Sequence, residues 1–238
     1  MTESHPSARH AEKSGMYVKS LISALVFAGI LCAALFFSSG RWDWWMAWVY
    51  IVLRMGIATV SMLWIASKTG GMLEERFHPG AGVKTWDRPL VWTTTLLVPV
   101  TLIMTGLDIR FGWSPDFPLA IQLLALAVWF LGDAFSKWAA AVNRFYSRFV
   151  RIQKDREHTV TTQGPYRAVR HPGYAGGKVA GLATPLGLGS LWALIPAGLL
   201  AALIVIRTAL EDKTLHRELP GYAEYAQRTR YRLVPGVW

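Results

Sequence analysis

Between two long apolar stretches lies a polar segment punctuated by glycine and proline, HTVTTQGPYRAVRHPGY, from His158 to Tyr174. It gathers His158, Tyr166, Arg167, Arg170, His171 and Tyr174 at the mouth of the apolar run that follows. Irregular backbone beside a membrane is tolerated only where it packs on protein or lines a wet cavity. A compact, donor-rich loop in this place therefore reads as a binding site. The plainer reading is an ordinary basic cytoplasmic loop. Pro172 opens the apolar run and sets Arg170 and His171 at a helix start. Backbone N–H groups and the helix dipole favour an anion there.

The elements that must position this loop are membrane helices. The chain has 238 residues, of which 53% are hydrophobic and 17% charged, with 12 Trp. A soluble domain carries about 25% charge. Several apolar runs approach the length of about 20 residues that crosses a bilayer. The fold class is all-α, a polytopic transmembrane bundle of about six spans. They are expected over 17–38, 44–66, 89–107, 117–142, 173–188 and 190–210. The last two are split near Gly187-Leu188-Gly189-Ser190; a bent, re-entrant hairpin over 173–210 is the five-span alternative. Residues 1–142 read as N-terminal spans with a tail, and 143–238 as the functional region of one integrated domain. Residues 1–16 lack the pattern of a cleaved signal peptide. The single cysteine, Cys32, allows neither an internal disulfide nor a cysteine metal cluster. His5 and His10 read as solvated, and no metal is expected.

Charge orients this map. With the N-terminus inside, and with Lys19 and Arg207 at the inner span ends counted there, the inside segments hold 20 Lys and Arg, and the outside loops hold only Arg41 and Arg110. The positive-inside rule explains the net charge of +10 without nucleic acid. Both termini and the 158–174 loop then face the cytoplasm. Within the spans, Arg54 calls for a partner or a function, and Asp133 and Lys137 stand one turn apart as a pair or a proton relay. Glu74, Glu75, Arg76 and His78, in the polar 67–88 loop, read as solvated residues or as a substrate gate. Trp42, Trp44, Trp45 and Trp48 suggest an interfacial aromatic belt.

The order and spacing of His158, Val160, Gly164, Tyr166, Arg170-His171-Pro172, Tyr174 and Gly176 resemble the S-adenosylmethionine site of the isoprenylcysteine carboxyl methyltransferase superfamily. That superfamily also holds phospholipid N-methyltransferases and small-thiol methyltransferases. The resemblance continues through Glu211-Asp212, Leu215, Tyr222, Tyr225 and Pro235. It implies an integral membrane, S-adenosylmethionine-dependent methyltransferase with a lipophilic or small-molecule acceptor, among membrane lipids. The implied cofactor contacts are His158, Val160, Gly164, Pro165, Tyr166, Arg170, His171, Pro172, Tyr174, Glu211 and Asp212. The implied reactive pair is Glu211 with Arg217, six positions on. Two positions depart from the family: Asp212 follows Glu211 where a second Glu is usual, and Lys178 stands where the carboxyl methyltransferases often carry Trp.

The residues suit that chemistry. The cofactor's carboxylate needs donors, which Arg170, His171 and a helix start supply. Its sulfonium tolerates an aromatic face such as Tyr166 or Tyr174. Glu211 or Asp212 can accept from its amino group or ribose. Arg207, Glu211 and Glu218 share a helical face, so a surface Arg207–Glu211 pair is the plainer reading there. Arg217 leaves that face if the helix runs straight. The acceptor atom stays open among carboxylate, amine and thiol. A non-catalytic binding protein and a transporter are the rival classes.

Overall fold

The computed structural model describes residues 22, 24–68, 75 and 80–238. The N-terminal tail with His5 and His10, and Glu74, Arg76 and His78, lie outside the described residues. Every described regular element is helical. The helices are α1 (Ala24–Phe37), α2 (Trp45–Lys68), α3 (Asp87–Phe111), α4 (Leu119–Val142), α5 (Pro172–Gly187), α6 (Leu194–Glu218) and the short α7 (Tyr222–Arg228). Four of them, α2, α3, α4 and α6, are long and apolar enough to cross a bilayer. Their outward faces expose large apolar side chains, among them Val60, Leu96, Leu124, Leu131 and Leu199, as a lipid-facing surface requires. The chain is a helical membrane bundle.

Small residues set the closest approach. Gly132 of α4 and Gly176 of α5 meet backbone to backbone: a Cβ on Gly176 would lie 2.4 Å from the Gly132 carbonyl oxygen. Ala139, Ala180 and Ala183 are buried along the same two helices. Lipid tails are as apolar as leucine, so membrane helices associate through such close packing rather than through a hydrophobic drive. Trp44 is buried at the other end of the bundle, while Trp42, Trp45 and Trp48 are exposed. Only the latter three suit an aromatic belt.

The α5–α6 pair is a hairpin that traverses the bundle, not a shallow re-entrant loop. Its tip bonds to the far end of α3 and to the connection between α3 and α4. Ser190 donates to Asp108, and the Leu191 N–H donates to Ser114 Oγ at 2.8 Å. Gly189 sits against Gln122 with φ +83°. At the opposite end, the 143–171 loop, the segment before α3 and the C-terminal tail come together. Asp87, at the start of α3, accepts from the Val150 N–H at 2.7 Å and from Arg207 Nε at 2.7 Å. The hydrogen bonds from the N–H groups of Arg170 and His171 to the carbonyls of Tyr231 and Arg232 are 2.9 Å each.

Buried charges are matched. Arg54 and Lys137 lie 3.6 Å and 3.5 Å from Asp133, so the expected ion pair is a shared one. Two of the plainer readings are overturned. Glu75 is not solvated: it is buried and takes a two-pronged salt bridge from Arg151, at 2.7 and 2.6 Å. Burial alone would raise its carboxyl, but the Arg151 guanidinium holds it below the ordinary range. Arg207 is not in a surface pair with Glu211. It is buried on Asp87 and on the Arg148 carbonyl, with its guanidinium over the Tyr174 ring.

Candidate functional site

A cleft opens at the loop end of the bundle. Its walls come from three places. The end of α4 and the 143–151 segment supply Asn143, Tyr146, Ser147 and Arg151. The 158–174 segment supplies His158, Val160, Tyr166, Arg170, His171 and Tyr174. The end of α6 and α7 supply Glu211, Leu215, Tyr222 and Tyr225.

Local chemistry explains the loop's shape. Gly164 has φ +57° and begins a tight turn over Gly164–Arg167, a conformation glycine adopts without a Cβ penalty. The turn buries Tyr166, whose carbonyl accepts from Tyr225 at 2.7 Å and whose hydroxyl accepts from Asn143 Nδ2 at 3.1 Å. Burial pushes the Tyr166 phenol above its ordinary value and that of Tyr225 up to about 12. Both remain neutral hydrogen-bonding groups at neutral pH. His158 stacks on Phe145, with centroids 4.4 Å apart. Burial, helped by Arg151, Arg156 and Arg144, lowers its imidazole to about 4, so at neutral pH it is uncharged.

The two adjacent acids of α6 point in different directions. Glu211 faces the cleft and accepts from the Tyr174 hydroxyl at 2.6 Å. Asp212 is 1% exposed and is not part of the cleft wall. It holds together Arg170 (2.8 and 3.1 Å), Tyr222 (2.8 Å), Arg232 (2.8 Å) and His171 (3.3 Å). Arg170 also donates to the Thr229 and Arg230 carbonyls, so its guanidinium is turned into the protein. Burial opposes the charge on Arg170, yet Asp212 keeps it strongly protonated.

Of the residues expected from the sequence, His158, Val160, Tyr166, Arg170, His171, Tyr174 and Glu211 line one cleft. Gly164, Pro165, Pro172 and Asp212 shape it from behind. Arg217 is not brought to it: α6 runs straight to Glu218, and Arg217 is exposed on another face. Sequence reasoning gave no cleft role to Tyr146, Ser147 or Arg151. The Asn143-Arg144-Phe145-Tyr146-Ser147 string, where a span ends in polar and aromatic residues, was the available signal.

Residues 117–220 match the model of the phospholipid methyltransferase family. That stretch runs from just before α4 to just past α6 and contains Glu211 and the whole 143–171 loop. Over that stretch the chain is similar to the integral membrane methyltransferases. A relative, the cobalt-zinc-cadmium resistance protein CzcN of Cupriavidus metallidurans, is 33% identical over 139 residues, 56% of this chain. The match spans 58% of the length of that relative. The matched stretch includes both helices of the close α4–α5 contact.

Proposed function

We propose that this membrane methyltransferase uses S-adenosylmethionine in the cleft around Glu211 and methylates a lipophilic acceptor that enters from the bilayer. The charge balance of the cleft carries the reading. Arg151 is matched by Glu75 and Asp155, and Arg170 by Asp212. Glu211 forms no ion pair among the described residues; its close partner is the neutral Tyr174 phenol. The uncompensated charge is therefore negative, and tyrosines 146, 166, 174, 222 and 225 surround it. A carboxylate ringed by aromatic faces suits a cation, here the amino group and sulfonium of the donor. Asn143, His158 and the loop backbone offer neutral hydrogen bonds to the rest of it. The donor supplies an electrophilic methyl group. The chain's own task is to align donor and acceptor and to keep water out.

The same balance bears on the acceptor. Among the described residues that line the cleft, a carboxylate acceptor would meet no unmatched arginine or lysine, whereas an amine or thiol is compatible with Glu211, which can take up its proton directly or through Tyr174. The match to the phospholipid methyltransferases supports the amine. In this reading residues 119–238, α4 onward, form the functional unit and the preceding helices support it. The loop end faces the cytoplasm, where the donor is made. Calorimetry with S-adenosylhomocysteine on wild type and Glu211→Gln tests the reading. Micromolar binding that weakens at least about tenfold in the variant is expected; no binding by the wild type would sink it.

A further inference from the structure

Lys178 is the Lys/Arg/Asp/Glu residue of α5, six positions past Pro172 and so about 9 Å along the helix axis. It is half-buried. Arg54, Asp133 and Lys137 share a cluster, Asp87 and Arg207 pair, and Asp108 is held by serines and backbone N–H groups. Lys178, by contrast, makes no hydrogen bond or ion pair with any described residue. A cation left unmatched in a membrane helix is costly and marks a functional position.

Its place on the helix is informative. Tyr174, one turn before it, touches Glu211 and Arg207 of α6; Gly181, three residues after it, packs against Leu200 of α6. Lys178 therefore lies in the α5–α6 seam, directly beneath the cleft. Helical side chains lean toward the N-terminus, which in α5 is the cleft end. A lysine at this depth carries its ammonium up toward the headgroup level.

We infer that Lys178 is a specificity-determining residue that binds the anionic group, a phosphate, of a membrane-embedded acceptor whose methyl-accepting amine reaches the cleft. This rests on the donor and amine reading given above. Tyr174, which holds Glu211, and Lys178 are four residues apart on α5, about 6 Å of helix rise. That is on the scale of an amine and a phosphate joined by two carbons. An acceptor of this shape is held by opposite charges at two levels, with its chains left in the bilayer.

The test uses the full chain in nanodiscs, as wild type, Lys178→Met and Lys178→Arg. Methionine is at home in lipid, so the fold is expected to survive; unchanged S-adenosylhomocysteine affinity checks the cleft. Two acceptor probes are compared, dioleoylphosphatidylethanolamine and oleylamine, an amine without phosphate. Lys178→Met should lower kcat/KM for the phospholipid about tenfold, chiefly through KM, and leave oleylamine within about twofold. Lys178→Arg should largely restore the phospholipid. Equal effects on both probes, or none on the phospholipid, overturn the role. If the wild type methylates neither probe, retention of spin-labelled phosphatidic acid decides. A bound fraction that Lys178→Met abolishes supports the role, and one that it leaves unchanged, or that the wild type lacks, overturns it. Loss of S-adenosylhomocysteine binding in the wild type counts against the donor reading instead.

Discussion

Glu211 and Asp212 are neighbours in sequence and opposites in structure. About 100° of helix rotation separates consecutive side chains, enough to turn one into the cleft and the other into a buried knot with Arg170, His171, Tyr222 and Arg232. Glu211→Gln should cost donor affinity with little effect on thermal stability. Asp212→Ala should do the reverse first, stranding two arginines; breaking a buried pair costs about 3–5 kcal/mol, read as a lower melting temperature in detergent. Arg217→Ala should leave turnover near wild type, because Arg217 is exposed and off the cleft. His158 gives a pH signature. Its ordinary value is 6.5 and its folded value about 4, so the unfolded chain binds more protons between those limits. The stability it contributes is complete above pH 6.5 and is lost as pH falls toward 4. Thermal scans of wild type and His158→Gln across that window should diverge, the variant being the flatter.

At the scale of elements, what the sequence displays and what it hides follow a physical line. Long apolar runs broken by Gly187-Leu188-Gly189-Ser190 announce the α5–α6 hairpin, since length and turn chemistry are local. The order from His158 to Tyr174 likewise announces a loop that folds on itself. The Asp87–Arg207 and Glu75–Arg151 pairs lie 120 and 76 residues apart in sequence; no local pattern reports such a meeting, so Arg207 reads as a partner for nearby Glu211 and Glu75 as solvated. The Gly132–Gly176 contact is equally non-local. Gly176→Val should force α4 and α5 apart, at about 1–3 kcal/mol or more, and since α5 carries Gly173 and Tyr174 of the cleft and α4 leads directly into Asn143, donor affinity should fall with the melting temperature. Gly181→Ala, at 3.8 Å from its nearest neighbour, should be mild in both measurements.

For the whole molecule, the structure brings the 80–87 segment, the 143–171 loop and the tail to one end of the bundle, the segments to which the charge count of 20 against 2 assigns a common side. Contacts show which segments share an end; only the charge pattern says which compartment that end faces. A reporter that works only in the cytoplasm should be active when fused after Trp238, and one that works only outside should be active within the Arg41–Asp43 turn. The reversed result would place the cleft away from its donor.

The α5 helix has 16 residues, about 24 Å of rise, against a hydrocarbon layer of about 30 Å. Its neighbours α4 and α6 have 24 and 25 residues, so the bundle is short on one flank only. Lipids beside α5 must bend inward or thin to meet it, at fractions of a kcal/mol per Å of mismatch. This depression forms next to Lys178 and the cleft, so the bilayer itself tilts headgroups toward the cleft. Methyl transfer should therefore respond to acyl-chain length: nanodiscs of 14-carbon lipids should give a lower acceptor KM than those of 20-carbon lipids, at equal donor affinity. A thick, sterol-rich membrane would then be a poor home for this protein even with every side chain in place.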